Sequence, residues 1–436
     1  MHSNKLYRIM EKGSSNINFD RILYGVTLST LLILVAWYYK VVICFEFAYN
    51  DDLRTLSQVQ RLSIGEIFKS TIIDSWYYRP LIQLFIKGSQ ELFSESAYPI
   101  RVCQVVLHLS TLVLFVQICK VQKLNRIAIN LGLLSLCFAP FTYFGIAKYA
   151  IEIGTYFIGF LFVLSVLMIV KEKLEPISAS LIAILALLTR EQGLLIALTC
   201  FLYFSFSKKV IGTITMGLLV FSYLIFRIVA FGQLGGEGVL GSSGWFFEFL
   251  TVSQLEEKIG DNMILFFVYN IVSHLISLVS YVPVKGQILM PDIRMGWLIG
   301  TQLLTSAAIV YGFCRYRKIN NFSNMKNINI LLVVMISNAV IAYSYCRYRM
   351  LFVAGISLSY LLSYGVNAIL FHSRNKKILY IVPFLLCLLW SGSAILQLQK
   401  LTIKSDRLKH HYRVETIAIA GVDQKIYNNI RDRLID

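Results

Sequence analysis

The chain contains many apolar runs long enough to cross a lipid bilayer, and this feature limits its fold more than any other. The first run, Ile22 to Phe45, exceeds the ~20 apolar residues that a transmembrane helix needs. Inside lipid every backbone polar group needs an internal partner, so runs of this kind cross as helices. With 57% hydrophobic and 15% charged residues, the chain also departs from the composition of soluble domains. We therefore predict an all-α, polytopic membrane protein.

The full set of apolar runs predicts about eleven transmembrane helices, within limits of about ten and thirteen. Two runs, Ile177 to Leu188 and Leu194 to Phe206, are too short to cross comfortably and flank the sequence Thr-Arg-Glu-Gln-Gly. We expect this hinge to lie below the outer surface. Met263 to Val282 is expected to be re-entrant or to lie on the surface, because a full crossing there would place the later basic residues outside.

The charge distribution predicts the orientation in the membrane. The segment before the first run is basic, whereas residues 46–98 hold seven acidic and five basic residues, so the positive-inside rule places the N-terminus in the cytoplasm. The loop 46–98 then lies outside, where apolar residues from Leu62 to Ile72 at helical spacing predict an amphipathic surface helix, and a second helix is expected after Pro80. The same rule accounts for the net charge of +17, so we expect no nucleic acid partner.

We divide the chain into a membrane region, residues 1–397, and a short extracytoplasmic tail, residues 398–436. The expected location is the cytoplasmic (inner) membrane, with several crossings and with the active site facing outward.

The first outer loop carries the residues that most strongly indicate chemistry. Asp51 and Asp52 follow the first apolar run, and Tyr78 and Arg79 lie in the Tyr-Tyr-Arg-Pro sequence near the end of the loop. A carboxylate at a membrane exit can act as general base on a water-side hydroxyl while a lipid-borne donor lies within reach. Adjacent side chains diverge on a helix, so one aspartate should face the acceptor; we assign Asp51, with Asp52 as its main rival. Arg79 either pairs with one of them or fixes the loop.

Further charged residues fall at the outer ends of predicted spans. They are Lys148, Glu152, Arg190, Glu191, Arg347 and Arg349. A charge in the apolar zone costs on the order of 3 kcal/mol unless it has a partner, so these clusters predict a shared polar cavity. Snorkelling to the interface is the competing interpretation, chiefly for Lys148 and Arg349. Arg227 and His108 are interpreted as structural.

Several short motifs together resemble the GT-C superfamily of integral-membrane glycosyltransferases. They are Asn-Asp-Asp after the first run, Tyr-Tyr-Arg-Pro-Leu later in the first loop, an apolar run with His108, the Thr-Arg-Glu-Gln-Gly hinge, and Cys-Arg-Tyr-Arg-Met before a late run. Within this superfamily the chain looks like the protein O-mannosyltransferase and aminoarabinose transferase group. The resemblance implies an enzyme that uses a polyprenyl-phosphate sugar donor, and it maps the acidic pair of the family onto Asp51 and Asp52.

The implied reaction assigns roles to the charged residues. An aspartate takes the proton of the acceptor hydroxyl, and arginines hold the leaving phosphate, since the forked donors of arginine match phosphate oxygens. The donor-phosphate residues are then Arg190, Arg347, Arg349 and Lys148, and the supporting residues are Tyr78, Arg79, Glu152 and Glu191. Two roles stay open for Asp52: it binds a divalent cation such as Mg²⁺ or Mn²⁺, or it only orients the loop.

The predicted function is therefore transfer of one sugar, with inversion, to an envelope glycan, lipid or protein outside the membrane. Two other classes share some of these features. An O-antigen or polysaccharide polymerase or ligase would use outer-face arginines but would not need an acidic pair directly after the first span. A transporter would place its polar residues near the bilayer midplane on broken helices.

Overall fold

A computed structural model of the chain describes residues 17–45, 51–73, 79–93, 96–138, 150–231, 243–245, 248–250, 257, 264, 268, 293–319, 326–341, 351–372 and 376–411. Almost all of these residues are helical, which confirms the predicted helical class. Two short strands, β1 (Ser243–Trp245) and β2 (Glu248–Leu250), form an antiparallel pair in which Ser243 lies opposite Leu250. These strands were not predicted from the sequence.

The helices follow one another with short connections. In chain order they are α1 (Ile17–Ile43), α2 (Asp51–Arg61), α3 (Ile64–Ile73), α4 (Pro80–Phe93), α5 (Tyr98–Val121), α6 (Arg126–Phe138), α7 (Ile153–Val170), α8 (Pro176–Thr189), α9 (Gly193–Phe206), α10 (Val210–Phe231), α11 (Ile293–Ile319), α12 (Lys326–Ile341), α13 (Phe352–His372) and α14 (Lys376–His411). A 3₁₀ turn, Ala150–Glu152, leads into α7.

Six helical segments are long and apolar enough to cross a membrane. They are Arg21–Ile43, Tyr98–Val121, Ala150–Val170, Val210–Val229, Phe352–Phe371 and Tyr380–Ile403. Four shorter apolar helices lie between them, namely α6, α8, α9 and residues Asn327–Asn338 of α12. The described part of the chain is thus a multi-pass helical membrane protein by length and composition, as the sequence predicted.

Prolines and tight turns set several helix limits. α4 and α8 begin at Pro80 and Pro176, where the missing N–H has no intrahelical partner to lose. A residue with a left-handed backbone conformation follows each of the helices α5, α7 and α9. These residues are Lys123 with φ 56°, Glu172 with φ 57° and Lys208 with φ 54°. After each of them an N–H donates to the carbonyl five residues earlier, at 2.9 or 3.0 Å, which is the Schellman pattern. These turns return the chain directly into the next helix.

Contacts between distant segments sort the helix ends into two sides. On one side the Asn125 N–H donates to Asn367 Oδ1 at 2.8 Å, beside the lysine-bearing turn after α5. The turns after α7 and α9 also carry lysines. On the opposite side Gln397 donates from its Nε2 atom to the Phe138 carbonyl at 3.1 Å. The positive-inside rule predicts that the lysine side faces the cytoplasm, and the opposite side is called the outer end below.

α13 lies at the centre of the bundle and is almost entirely buried. It packs against α6, α7, α11 and α12. Glycines allow α11 and α6 to approach α13 closely. A Cβ atom at Gly312 of α11 would overlap the backbone of Gly365 in α13, and a Cβ atom at Gly132 of α6 would overlap the Ser363 side chain. In lipid, close packing of this kind replaces much of the hydrophobic force that joins helices in water.

Three segments for which the sequence predicted a structure or a boundary can be compared with the observed helices. In the first outer loop, helices near Leu62 to Ile72 and after Pro80 were expected, and α3 and α4 occupy these positions, whereas α2 was not foreseen. α14 continues without a break to His411, past the predicted boundary between residues 397 and 398. Apart from residues 264 and 268, Met263 to Val282 lies outside the described residues.

Candidate active site

The predicted acidic pair opens helix α2. This helix begins at Asp51, and the following Asp52 is fully buried. The two carboxylate oxygens of Asp52 accept hydrogen bonds from the backbone N–H of Ala150 at 2.9 Å and of Ile151 at 3.0 Å. Hydrogen bonds to an ionised acceptor are stronger than neutral ones, so Asp52 ties the first outer loop firmly to the turn before α7. The side chain of Asp51 lies outside the described residues.

The contacts of Asp52 bear on the two roles left open for it. Both oxygens accept bonds from backbone N–H groups, which compete with a cation for the same lone pairs. Mg²⁺ and Mn²⁺ bind oxygen ligands, and the N–H groups that surround the Asp52 carboxylate cannot serve as such ligands. Within the described ranges, no group of three or more His, Cys, Asp or Glu side chains is placed to hold a metal ion. The two hydrogen bonds fit the loop-orienting role, and cation binding by Asp52 stays an untested alternative.

Two residues of α5 hold the same turn from its other face. The Gln104 Nε2 atom donates to the Ala150 carbonyl at 3.1 Å, and the Oε1 atom of Gln104 accepts from Arg101 Nη1 at 3.1 Å. Arg101 also donates from Nε to the Phe45 carbonyl at 3.2 Å, and both side chains are fully buried. α5 thus joins the exit of α1 to the 3₁₀ turn, so the backbone on both sides of Asp52 is fixed.

A buried ion pair lies directly after this turn. The Arg190 Nη1 atom contacts Glu152 Oε2 and the Thr155 hydroxyl, and Thr155 donates to Glu152 at 2.5 Å. The Arg190 and Glu152 side chains are each only 2% exposed. Removing one partner of such a pair leaves a buried charge, a change that typically costs about 3–5 kcal/mol. The pair therefore fixes the hinge between α8 and α9 against α7.

A second, more open group surrounds Glu191. Arg79 Nη2 lies 3.1 Å from one carboxylate oxygen of Glu191, and Arg227 Nη1 lies 3.8 Å from the other. Burial alone would raise the pKa of Glu191, but the positive charges of Arg79, Arg190 and Arg227 outweigh it and hold this pKa below its ordinary value. Glu191 is therefore ionised at neutral pH. The Arg79 side chain is 21% exposed, the most accessible of the described arginines in this group.

The hinge between α8 and α9 joins two short helices. Each helix has 14 residues and is about 21 Å long, against about 30 Å for the hydrocarbon core. The hinge is also tight, since Gly193 N–H donates to the Arg190 carbonyl at 2.9 Å and a Cβ atom at Gly193 would overlap the Ala186 backbone. Because α8 begins and α9 ends beside a lysine turn, the hinge lies at the end of both helices that is away from the lysines. The position of Arg190 and Glu191 below the outer surface stays a prediction.

A cluster of aromatic rings lies in the core, where Tyr156 directly follows Thr155 in α7. Tyr38 and Tyr156 share a hydrogen bond between their hydroxyls at 2.7 Å. The Tyr39 hydroxyl lies 3.3 Å from His108 Nδ1, and His108 packs edge-on against Tyr38 and Tyr156. His108 is buried among rings, which agrees with the structural role predicted for it.

Half of the predicted site residues come together at the outer end. Contacts link Asp52, Glu152, Arg190, Glu191 and Arg79 through one turn and one hinge. The remaining predicted residues, Tyr78, Lys148, Arg347 and Arg349, lie outside the described residues, as does the Asp51 side chain.

Sequence reasoning missed three residues of this group. It overlooked Arg101 and Gln104 and gave Arg227 only a general structural role. Arg101 and Arg227 each lie within a largely apolar run. A charged residue in such a run usually faces a polar partner in membrane proteins, so this pattern was the signal available in the sequence. Comparison with known proteins finds no matching family model, no similar curated protein and no similar solved structure. The chemistry of the site is therefore the basis for a functional assignment.

Proposed function

We propose that the protein is a GT-C-type inverting glycosyltransferase of the cytoplasmic membrane. It would move a sugar from a polyprenyl-phosphate donor to a glycan, lipid or protein acceptor outside the cytoplasm. The six long apolar segments, the four shorter ones and the 27-residue helix α11 would together give eleven crossings. With the lysine turns in the cytoplasm, the charged group would face the outer surface.

The observation that carries this proposal is the group of buried, ion-paired carboxylates and arginines at the outer end. Glu152 and Arg190 are each 2% exposed, and Glu191 is 14% exposed between Arg79 and Arg227. Apolar residues of similar volume would hold a fold at least as well as such pairs, so stability alone does not explain them. Charges kept within a membrane protein usually serve binding or catalysis.

The proposed reaction uses these charges in two ways. The acceptor oxygen forms a bond to the anomeric carbon while the bond from that carbon to the phosphate oxygen breaks, and polyprenyl phosphate leaves with the electron pair. Asp51, at the start of α2 beside the fixed Asp52, takes the hydroxyl proton. Arginines near the hinge stabilise the negative charge on the leaving phosphate, as electrostatic catalysis requires. Arg190 is the predicted contact, and the partly exposed Arg79 is a second one.

The test measures polyprenyl phosphate released by purified protein from a labelled polyprenyl-phosphate sugar, with envelope extract as acceptor. Asp51→Asn should lower turnover by about a hundredfold or more, because general-base catalysis is typically worth this much. The matched control is Glu91→Gln, since Glu91 is a 65% exposed carboxylate on α4 of the same loop. The control should retain full turnover.

Three outcomes would count against the transferase. Absence of polyprenyl phosphate release with every extract would refute it. Passage of the intact donor across a proteoliposome membrane without cleavage would indicate a transporter. Release that only lengthens an existing polysaccharide by whole repeat units would indicate a polymerase.

A further inference from the structure

A cleft between α11 and α12 lies apart from the charged group. Each of these helices packs against α13, but among the described residues they make almost no contact with each other. The gap forms a cavity of about 210 Å³. Its walls include Ile309 and Phe313 of α11 and Ile328 and Leu332 of α12, and its floor is formed by Leu361 and Tyr364 of α13.

The cleft opens toward the surface that faces lipid. Val310 lines it and is 61% exposed, whereas the floor residue Leu361 is only 4% exposed. The side chains around the cleft are apolar apart from Tyr364. An apolar cavity of about 150 Å³ is already large enough to stay dry and bind benzene, so this larger cleft can hold a stretch of hydrocarbon chain.

The position of the cleft points to the cytoplasmic leaflet. Gly312 of the cleft meets Gly365, two residues before Asn367, which bonds to the lysine-bearing turn after α5. The cleft therefore lies toward the lysine side and away from Asp52. The sequence from 313 to 327, which runs from the last turns of α11 to the start of α12, contains four bases and no acids. Basic residues at this level attract the anionic lipids of the cytoplasmic leaflet.

We propose that this cleft binds one acyl chain of an anionic phospholipid, whose phosphate lies against Arg315, two residues beyond the cleft residue Phe313. The apolar walls fix the chain, and Arg315 supplies the charge that selects the headgroup. The bound chain fills the gap that α11 and α12 leave over α13. Atoms that line an empty gap lack attractive van der Waals contacts, and the bound chain supplies them. This inference is independent of the proposed transferase activity.

The experiment uses full-length protein in nanodiscs and phospholipids with a photoreactive group on one acyl chain. One arm contains anionic phosphatidylglycerol, a second zwitterionic phosphatidylcholine, and a third a photoreactive polyprenyl phosphate. Adducts are mapped by mass spectrometry of peptides. We expect phosphatidylglycerol to label residues 309–313, 328–332 or 361–364 more strongly than phosphatidylcholine. The difference should be about fivefold for each base that contacts the headgroup.

Matched variants connect this labelling with the cleft. Leu332→Trp should fill it and abolish the labelling, whereas Leu303→Trp, on an α11 residue that is 63% exposed and outside the cleft, should not. Leu332→Phe gives a milder filling if the tryptophan variant is not monodisperse. Arg315→Gln should reduce phosphatidylglycerol labelling toward the phosphatidylcholine level. Equal labelling by both phospholipids, stronger labelling by polyprenyl phosphate, or no adduct in the cleft would overturn the proposal.

Discussion

Replacing Asp52 by asparagine separates the structural role of the acidic pair from its chemical role. The Asp52 carboxylate is fully buried and accepts two backbone N–H groups, from Ala150 at 2.9 Å and from Ile151 at 3.0 Å. Asparagine has the same shape, but only one of its two terminal atoms can accept a hydrogen bond. The other terminal atom is an NH₂ group, which would point at a backbone N–H. One hydrogen bond is therefore lost and one buried donor is left without an acceptor.

The expected cost follows from these contacts. A hydrogen bond to a charged group contributes about 1.5–3 kcal/mol, and a buried donor without an acceptor costs about 1–3 kcal/mol more. Relief of the buried negative charge offsets part of this sum. We expect Asp52→Asn to lower the free energy of unfolding by about 3 kcal/mol, and the midpoint of thermal unfolding by several degrees.

The assay is thermal unfolding of the purified variants in one detergent, together with turnover of the labelled donor. Glu91→Gln controls for the change from carboxylate to amide, because Glu91 is 65% exposed on the same loop. Asp51→Asn should unfold near the temperature of the parent protein and lose turnover. If Asp52→Asn instead keeps the stability of the parent protein and loses turnover, the Asp52 carboxylate acts on the substrate and our reasoning is wrong.

Two further predictions concern the ion pairs. Arg190→Ala should destabilise the fold by about 3–5 kcal/mol because it leaves the Glu152 charge buried, whereas the double change Arg190→Met with Glu152→Met should restore thermal stability but not donor binding. Recovery of donor binding in the double variant would remove Arg190 from the phosphate site. Glu191→Gln should lower stability most at neutral pH. Because the pKa of Glu191 is held below its ordinary value of 4.5, the difference from the parent protein should shrink as the pH falls below 4.5. A difference that grows in acid would contradict this, as measured by unfolding at several pH values.

Properties that depend on neighbouring residues could be predicted from the sequence. The apolar runs indicated the helical membrane class, and Pro80 and Pro176 mark the starts of α4 and α8. The short runs on either side of Arg190 indicated two short segments with a hinge between them, and two 14-residue helices flank the hinge in the structure. These features are local, because the length of a run and the missing N–H of proline act within one helix.

The pairing of charged side chains was not predictable in the same way. The sequence left open whether Arg79 pairs with an aspartate or fixes the loop, and in the structure it contacts Glu191, 112 positions later. It also gave no indication that Gln104 would hold the carbonyl of Ala150 while Asp52 holds its N–H.

The sequence by itself therefore determined the helical membrane class of the protein and showed which charged residues lie within or beside its apolar runs. Only the tertiary structure decided which of these charges meet. The reason is physical: a buried charge must find a partner, but the partner is chosen by which helices pack together. Here the packing of α5, α7 and the α8–α9 hinge brings together Asp52, Glu152 and Arg190, three residues that lie far apart along the chain.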